Sequence, residues 1–456
     1  MRVIFLTITF EPEPGNFRGL PLARWLKARG YDIQVLTAVP QYPEGRVYPG
    51  YHMHLWQREV LDGVPVLRVP IYPSHDKSAM RRMATYLSFM LSAASIGAAL
   101  IGPADLVYLY DPPPTNGLAS LVLKLFRGTP IVHHIADMWP ETVIASGMLR
   151  GKHLQGFATL ALGKWCKFLY HHASVITVLS PGFKRLLVER GVPAKKVEVI
   201  YNWADEQSFC PVERDPAMAR ELGMDARFNI VYAGNMGPVQ GLDNILAAAR
   251  LIQDQPRIQI VLAGTGPSEP ELRRQAREFG LRNVRFIGQR EYAEMPRINA
   301  LADALLVHLR DLPFLHATIP GKLQVSMASG RPILIAVGGD AADLVRDAGA
   351  GLVVEPENPG ELARAMIAMS CMPKEQLEEL GQRGRAYYLG HLSMGIAGQR
   401  MEEIFRKVVA GPYGGRKEST PTGQITAREK GDSGASGELP DSDTGPTVAE
   451  PISSRK

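Results

Sequence analysis

The sequence is poor in cysteine, and its cysteines show no metal-ligand spacing. Three cysteines, Cys166, Cys210 and Cys371, are scattered over 456 residues. This pattern is typical of a reducing compartment and argues against a disulfide framework or a zinc site.

The Walker motif GxxxxGK[ST] is absent, which argues against a P-loop NTPase. We expect no signal peptide, because Met1 and Arg2 lead directly into the strand-like run Val3–Ile8.

Charge is unevenly distributed along the chain. The net charge is +5, with 45% apolar and 21% charged residues, as in a soluble globular protein. Residues 1–200 carry a net +9 and the remainder −4. A basic first half favours an anionic partner, such as a phospholipid surface or a lipid phosphate. We do not expect nucleic acid as a partner, because no basic stripe interleaved with aromatic residues and no nucleic-acid module is present.

Strand-like and helix-like segments alternate along the chain in two successive sets. The strand-like runs of the first set are Val3–Ile8, Ile33–Thr37, Val64–Val69, Leu106–Tyr110, Ile131–His134, Val175–Val178 and Val197–Ile200. Those of the second set are Asn229–Tyr232, Ile258–Leu262, Val284–Ile287, Ala304–Val307, Pro332–Ala336 and Leu352–Val354. Such alternation predicts parallel sheets covered by helices on both faces.

The length and the two sets predict an α/β protein with two doubly wound Rossmann-like domains facing each other across a cleft. We place the first domain at residues 1–203 and the second at residues 204–390. A helix at residues 391–410 is a candidate to pack back on the first domain. Residues 411–456 are rich in Gly, Ser, Thr, Pro and mixed charge, so they cannot bury enough apolar surface to order, and we expect a disordered tail.

One segment bears on a membrane. Residues 83–101 contain no charge and follow Lys77, Arg81 and Arg82. The length permits a membrane span, but the serines, threonine, glycine and alanines make the segment only moderately apolar. Three interpretations stay open: a buried helix of the first domain, a helix whose basic start and one face touch the membrane, and a true span.

Polar residues follow the strands of the first domain, where ligands bind in doubly wound sheets. The loop after the first strand contains Gly15, Asn16 and Phe17, which suits an anion or a sugar. The loop after Ile131–His134 adds acids and an indole that suit a hydroxyl-rich ligand. The alternative is that Trp139 belongs to the core and that the acids cap the next helix. The candidate residues of these later loops are His134, Asp137, Trp139, Glu141, Ser180 and Asn202.

Glycine turns follow the strands of the second domain. They contain Gly234-Asn235-Met236 before Gln240, then Gly264 and Gly266, then Gly288. Pro320 and Gly321 begin a helix that carries Lys322 in its first turn and ends at Gly330. Free N–H groups at a helix start and an ammonium favour a phosphate, so these loops predict a nucleotide diphosphate pocket. The alternative for Lys322 is an ordinary capped surface helix.

Taken together, these motifs resemble glycosyltransferase family 4. They are Gly15-Asn16, Asp137-x-Trp139-Pro140-Glu141, Tyr201-Asn202, Ala233-Gly234-Asn235, Ala263-Gly264-Thr265-Gly266-Pro267, Pro320-x-Lys322 and Ala328-x-Gly330-x-Pro332. The chain is similar in particular to the bacterial exopolysaccharide and O-antigen amino-sugar transferases, which also share Gln41–Gly45 and Tyr48–Tyr51. The resemblance implies the GT-B fold and a retaining, metal-independent transfer of a hexose or amino sugar in the synthesis of exopolysaccharide or lipopolysaccharide.

The resemblance also implies roles for individual residues. Asp137, Glu141, His134 and Lys322 become the catalytic candidates, and Gly15, Asn16, Phe17, Trp139, Ser180 and Asn202 the acceptor and sugar candidates. The donor candidates are Gly234, Asn235, Met236, Gln240, Gly264, Gly266, Arg285, Phe286, Gly288, Pro320, Gly321 and Gln324. No cofactor is implied, because the UDP-linked sugar is a substrate. The implied acceptor is a polyprenyl-diphosphate-linked saccharide, handled at the inner face of the cytoplasmic membrane.

The chain departs from the family pattern at several positions. Val325 stands where many relatives carry a glutamate, Asn235 and Gln240 where they carry arginine and lysine, and Ala136 where they carry histidine. Two other functions stay open. One is a nucleotide-sugar 2-epimerase of the same fold, and the other is an inactive nucleotide-sugar-binding relative.

Overall fold

The computed structural model describes residues 1–14, 19–74, 78–141 and 152–411. Within these ranges, side chains are described except at Ala79, residues 152–155 and Phe157. The candidates Gly15, Asn16 and Phe17 lie outside the described residues, as does the segment 412–456 of the predicted tail.

The first domain is built on an eight-stranded sheet. Its strands are β1 (Arg2–Leu6), β2 (Asp32–Ala38), β3 (Gln57–Leu61), β4 (Val64–Val69), β5 (Leu106–Asp111), β6 (Ile131–Ile135), β7 (Val175–Val178) and β8 (Val197–Val199). They are ordered β3-β4-β2-β1-β5-β6-β7-β8. All neighbours pair in parallel except β3 with β4. Nearly continuous apolar strands such as β1 and β5 fit a sheet that helices cover on both faces.

Helices cover both faces of this sheet. They are α1 (Leu20–Lys27), α2 (Ala79–Ser92), α3 (Ala98–Leu100), α4 (Gly117–Arg127), α5 (Lys152–His172) and α6 (Pro181–Glu189). A π-helical turn, Ala93–Gly97, joins α2 to α3. Its Gly97 lies against Leu36, where a Cβ would come within 2.7 Å of the leucine methyl.

The second domain has a six-stranded parallel sheet. Its strands are β9 (Phe228–Ala233), β10 (Ile258–Ala263), β11 (Val284–Gly288), β12 (Ala304–His308), β13 (Ile333–Ala336) and β14 (Gly351–Val353), in the order β11-β10-β9-β12-β13-β14. Its helices are α7 (Pro216–Leu222), α8 (Leu242–Leu251), α9 (Glu269–Glu278), α10 (Met295–Leu301), α11 (Gly321–Ala328), α12 (Asp340–Ala348), α13 (Pro359–Ser370) and α14 (Lys374–Tyr387). The prediction of two doubly wound Rossmann-like sheets is confirmed.

The last described helix, α15 (Met394–Ala410), packs on the first domain. Met401, Ile404 and Phe405 are buried in the same apolar cluster as β1 and β5. Phe405 lies 5.8 Å from the ring of Tyr108. The close approach of α15 to α1 requires a glycine at position 398, because a Cβ there would lie 2.9 Å from the Trp25 indole.

Strand β3 is not among the strand-like runs that the sequence indicates. Strand β3 is an edge strand that pairs with β4 through a tight hairpin. Asp62 and Gly63 both have positive φ, 47° and 78°, as a type I′ turn requires. The Asp-Gly pair was therefore an available hairpin signal. Helix α7 lies between the two sets of strands, and Asp215 caps it by accepting from Ala217 N and Met218 N.

Direct contacts bring the carboxyl ends of the two sheets together. Ser180 follows β7, and its hydroxyl donates to the carbonyl of Ala317, which follows β12, at 2.5 Å. The backbone N–H of Gly182 donates to the carboxylate of Asp340, which follows β13. Arg185 donates to the other oxygen of that carboxylate at 2.8 Å. Because these residues lie in segments that follow the carboxyl ends of strands, the two ligand-binding edges face each other.

Candidate active site

Two glycine loops at the ends of β9 and β10 lie against each other. Gly234 and Gly264 have φ of 147° and 130°, a region that glycine alone adopts readily. The N–H of Gly234 donates to Ala263 O at 2.9 Å, and that of Gly264 donates to Gly288 O at 2.8 Å. A Cβ on Gly264 would lie 2.0 Å from Gly234 O. The close approach of the two backbones therefore requires that residue 264 has no side chain.

We expect Gly264→Ala to destabilise the protein by roughly 2–4 kcal/mol, since the methyl group would meet backbone that cannot rotate away. Gly280→Ala is the matched control in the same domain, because Gly280 also has positive φ (61°) but nothing lies within 4 Å of its added Cβ. The control should lose only about 1 kcal/mol. Urea unfolding measures both values, and equal losses would contradict the close approach.

Lys322, in the first turn of α11, points at these loops. Its ammonium donates to the hydroxyl of Tyr232 at 2.8 Å and also to the Gln240 side-chain oxygen. It lies 4.2 Å from the centroid of the Tyr232 ring. An added Cβ on Gly234 would be 3.8 Å from the lysine nitrogen. The ammonium is thus held over the first glycine loop by neutral groups.

The surroundings of Lys322 disfavour its charge. Burial lowers the pKa of Lys322 to about 7. Nearby, burial lowers the pKa of His308 to about 4, and the positive charge of Lys322 contributes to the shift. Neutral His308 fits its hydrogen bonds to Gln240 O at 2.7 Å and to Asn244 at 2.8 Å. A dianionic ligand beside Lys322 would restore its charge, because an opposite charge nearby favours the ammonium.

A cavity of about 250 Å³ opens beside Lys322 and the glycine loops. Its walls are mostly apolar, with polar groups from the loop after β11. The lining residues are Phe209, Val231, Ala233, Gly234, Ala263, Gly264, Gln289, Arg290, Tyr292, Met295, Asn299, Leu305, Leu306, Lys322, Val325 and Ser326. An apolar slot with a few polar groups and a cation at its mouth suits a flat organic ring attached to phosphates.

Some candidates from the sequence do not line this cavity. The exposed Arg285 side chain lies against Gly223, where an added Cβ would be 2.5 Å from its guanidinium. The ring of Phe286 lies under the guanidinium of Arg273 at 4.5 Å. Met236 is fully buried in the domain core. The cavity instead uses Gln289 and Arg290, one to two residues beyond the strand-end glycine.

Other donor candidates are also outside the cavity lining, but each lies within two residues of a lining residue along the chain. Asn235 is exposed, and the carbonyl of the same residue accepts from the Tyr232 hydroxyl at 2.7 Å. Gly266 packs against Met236, where a Cβ would meet backbone at 2.7 Å. Pro320 is the N-cap of α11 and Gly321 its first residue, as expected from the sequence. Gln324 is buried and, in the amide orientation that satisfies its hydrogen bonds, donates to Pro320 O at 2.8 Å.

In the first domain, Asp137 lies beyond the end of β6, on the edge that faces the second domain. Burial and, secondarily, the carboxylate of Asp111 raise the pKa of Asp137 to about 6. Asp111 ends β5 and is buried beside the imidazole of His133, with 2.9 Å between Nε2 and the carboxylate. Burial also raises the pKa of Asp111. The sequence analysis missed Asp111, although its place before Pro112 at a strand end was an available signal.

Glu141 and Trp139 have structural partners. The carboxylate of Glu141 accepts from Arg190 at 2.5 Å, and the same guanidinium donates to Trp139 O at 3.0 Å. The indole of Trp139 is 6% exposed and packs edge-on to Tyr86 at 6.4 Å. The expectation of an open indole platform for sugars is wrong, because the ring fills the core between α2 and β6. Arg190 instead fixes this loop.

Two of three further candidates have different surroundings from those we expected. His134 is fully buried, stacks on Tyr110 at 5.5 Å and pairs with the Thr177 hydroxyl at 2.7 Å, so it serves the core and not the cleft. The Ser180 hydroxyl caps α6 by accepting from Phe183 N at 3.0 Å and bonds the second domain, so it is not open to a sugar. Asn202 follows β8 and is partly exposed.

Comparison with known families agrees with this arrangement. Residues 19–203 match the family described as "Glycosyl transferase 4-like domain", and residues 227–371 match the family described as "Glycosyl transferases group 1". Each match covers one Rossmann-like domain, and the loops that follow the strands of both sheets face one cleft. The chain belongs to the family 4 glycosyltransferases.

Curated relatives of this glycosyltransferase include several bacterial glycosyltransferases. WcaI of Escherichia coli, a glycosyl transferase whose name assigns it to colanic acid biosynthesis, is 26% identical over 82% of this chain and 93% of its own length. The glycosyltransferase WbjE of Pseudomonas aeruginosa is 27% identical over 52% of this chain and 58% of its own length. The GDP-mannose-dependent alpha-mannosyltransferase of Mycolicibacterium smegmatis is 24% identical over 78% and 84%, respectively.

Solved structures share the fold of this glycosyltransferase at low sequence identity. Sucrose-phosphate synthase from Thermosynechococcus elongatus aligns with a TM-score of 0.65 and 17% identity, over 90% of this chain and 99% of that one. HepE of Anabaena in complex with UDP-glucose aligns with a TM-score of 0.64 and 16% identity, over 89% and 100%. These alignments establish the GT-B arrangement.

Proposed function

We propose that the protein transfers a sugar, with retention at the anomeric carbon, from a nucleotide-sugar donor to a lipid-linked saccharide during surface polysaccharide synthesis. The observation that carries this proposal is the Lys322 ammonium, held over the Gly234 loop at the mouth of an apolar cavity. The name of WcaI supports a role in polysaccharide synthesis. The complex of HepE with UDP-glucose supports a nucleotide-sugar donor.

In this proposal the donor's base enters the cavity of about 250 Å³ and its diphosphate lies between Lys322 and the glycine loops. When the glycosidic C–O bond breaks, negative charge grows on the leaving phosphate. The Lys322 ammonium and the start of α11 stabilise that charge because both are already in place. Tyr232 and Gln240 orient the ammonium through their hydrogen bonds.

Asp137 faces the developing positive charge of the sugar ring from the opposite domain. With a pKa of about 6, its carboxylate is ionised at neutral pH. The departing phosphate takes the proton of the acceptor hydroxyl, so no side chain acts as a base. Among the described residues, no group of three or more His, Cys, Asp or Glu side chains could hold a metal ion.

A panel of nucleotide sugars with polyprenyl-diphosphate saccharide acceptors tests the proposal. We expect one donor to give a glycosylated lipid by mass spectrometry, with the donor's anomeric configuration by NMR. An inverted product would overturn the retaining mechanism. Isomerised free sugar without an acceptor would instead favour the 2-epimerase, and donor binding without any turnover would favour an inactive relative.

We further propose that the protein works at the cytoplasmic side of a membrane through helix α2. The segment Met80–Leu100 is long and apolar enough to span a membrane by length and composition, and a third of its most apolar window is buried. Met80, Met83, Leu87 and Leu91 are 38–84% exposed at three- to four-residue spacing, which places them on one face of α2. A partly buried helix with one apolar face and a basic start suits peripheral binding better than spanning.

We expect Leu91→Asp to lower the affinity for vesicles containing anionic phospholipid about tenfold, because a carboxylate replaces an inserting apolar side chain and meets anionic headgroups. Leu251→Asp is the matched control: Leu251 is 59% exposed on α8 and Leu91 is 60% exposed. Vesicle sedimentation measures both. Equal losses in the two variants would exclude α2 as the contact.

A further inference from the structure

We propose that a second cavity, in the first domain, binds a soluble organic phosphate. It measures about 820 Å³ and shares no residue with the donor cavity. The ends of α5, α6 and α15 surround it, together with the starts of β7 and β8. Its lining residues are Lys167, Tyr170, His171, Ser174, Val175, Arg190, Gly191, Val192, Pro193, Lys195, Lys196, Lys407, Val408 and Gly411.

The charge of the lining is of one sign. Four lysines, one arginine and one histidine line the cavity, and no carboxylate does. Two of these cations are already engaged. Arg190 bonds Glu141 and Trp139 O, and Lys196 donates to His171 O at the end of α5 at 2.8 Å. Burial, with the positive charge of Lys124 as a lesser cause, lowers the pKa of Lys196. The ion pair of Arg190 and the helix end that Lys196 contacts therefore explain two of these positive charges without a ligand.

The remaining ammonium groups have no such role. Lys167, Lys195 and Lys407 are exposed, and none of them forms an ion pair within the described residues. They come from three different elements, α5, the turn before β8, and α15. Positive charges that line the same cavity repel each other, and an anion bound between them would offset that repulsion.

The floor of the cavity is apolar and has one unsatisfied hydroxyl. Val192 and Val408 are buried there, beside the ring of Tyr170. Ser174 is 8% exposed, and its hydroxyl oxygen has no hydrogen-bond partner within the described residues. In this proposal the Ser174 hydroxyl donates to an oxygen of the bound ligand. Lysines at the rim over an apolar floor select a phosphate that carries an apolar or planar group.

The cavity favours a soluble phosphate over a lipid headgroup because of its shape. The proposed membrane-binding face is the outward side of α2, whereas this cavity is recessed between helix ends and has a floor of its own. Its volume lies within the range of small-molecule sites. A membrane surface would contact the lysines at the rim but would leave the floor unoccupied.

Binding of phenyl phosphate to the full-length protein, followed by ligand-observed NMR, tests this proposal. We expect Lys195→Ser/Lys407→Ser to weaken binding about tenfold or more, because two charge-assisted hydrogen bonds are lost. Lys164→Ser/Lys374→Ser is the matched control with the same change in charge at exposed positions outside the cavity, and it should bind as the wild type does. Inorganic phosphate, which lacks the ring, should bind more weakly.

Three other results would overturn the proposal. Equal weakening in both double variants would mean general attraction to a basic surface, and no weakening in either would place the phosphate elsewhere. Binding of phosphatidic-acid vesicles through Lys195 and Lys407, without binding of phenyl phosphate, would assign the cavity to a lipid. Ser174→Ala should weaken phenyl phosphate binding without lowering the melting temperature, because it removes a hydroxyl that has no partner to lose.

Discussion

Replacing Lys322 with alanine is expected to lower kcat/KM for sugar transfer by about 10²- to 10³-fold, the usual effect of removing one preorganised charge-stabilising group. The reason is the position of the ammonium at the mouth of the donor cavity, where the leaving diphosphate develops charge. Neutral neighbours hold the ammonium there, and burial keeps the pKa of Lys322 near 7 when no anion is bound.

The same pKa predicts how donor affinity depends on pH. The free enzyme has Lys322 largely protonated below pH 7 and largely neutral above it, whereas the bound diphosphate favours the protonated form. Donor binding should therefore take up a proton above pH 7, and donor affinity should fall as the pH rises from 7 toward 9. Calorimetry in buffers of different ionisation enthalpy measures this uptake.

Lys164→Ala is the control for Lys322→Ala, since Lys164 is exposed and outside both cavities. Its activity should match the wild type. The Lys322 variant should still fold, because the partners of the ammonium are neutral and its removal leaves no unpaired buried charge. A folded Lys322→Ala enzyme with wild-type kcat/KM would remove the lysine from the mechanism.

The second large effect is expected for Asp137→Asn, which should lower kcat by about 10²-fold. The amide keeps the size of the side chain but removes the negative charge that faces the sugar ring as it becomes positive. Substrate affinity should change less than kcat, because the charge matters most in the transition state. Initial rates at saturating donor and acceptor measure the difference.

The pH profile separates a charge effect from a structural one. Since burial raises the pKa of Asp137 to about 6, wild-type kcat should fall as the pH drops through 6 and the carboxylate becomes protonated. In Asp137→Asn this acid limb should disappear, leaving a low and flatter profile. Glu141→Gln is the comparison, because Glu141 is paired with Arg190, and its loss should loosen the loop without removing the limb. An unchanged acid limb in Asp137→Asn would assign it to another group.

Much of the fold could be read from the sequence. The alternation of apolar runs and helical stretches predicted two parallel sheets. All thirteen strands that we predicted are present. Edge strand β3 was missed because an exposed strand has alternating residues and few apolar ones.

The sequence by itself determined which loops carry ligand-binding chemistry, because glycine turns and a lysine at a helix start have local signatures. Only the tertiary structure decided which side chains face the cleft. It placed His134 and Trp139 in the core, joined Ser180 to the second domain, and set Asp111 and His133 behind Asp137. The physical reason is that side chains alternate between the two faces of a strand, and packing of distant elements determines which face is open.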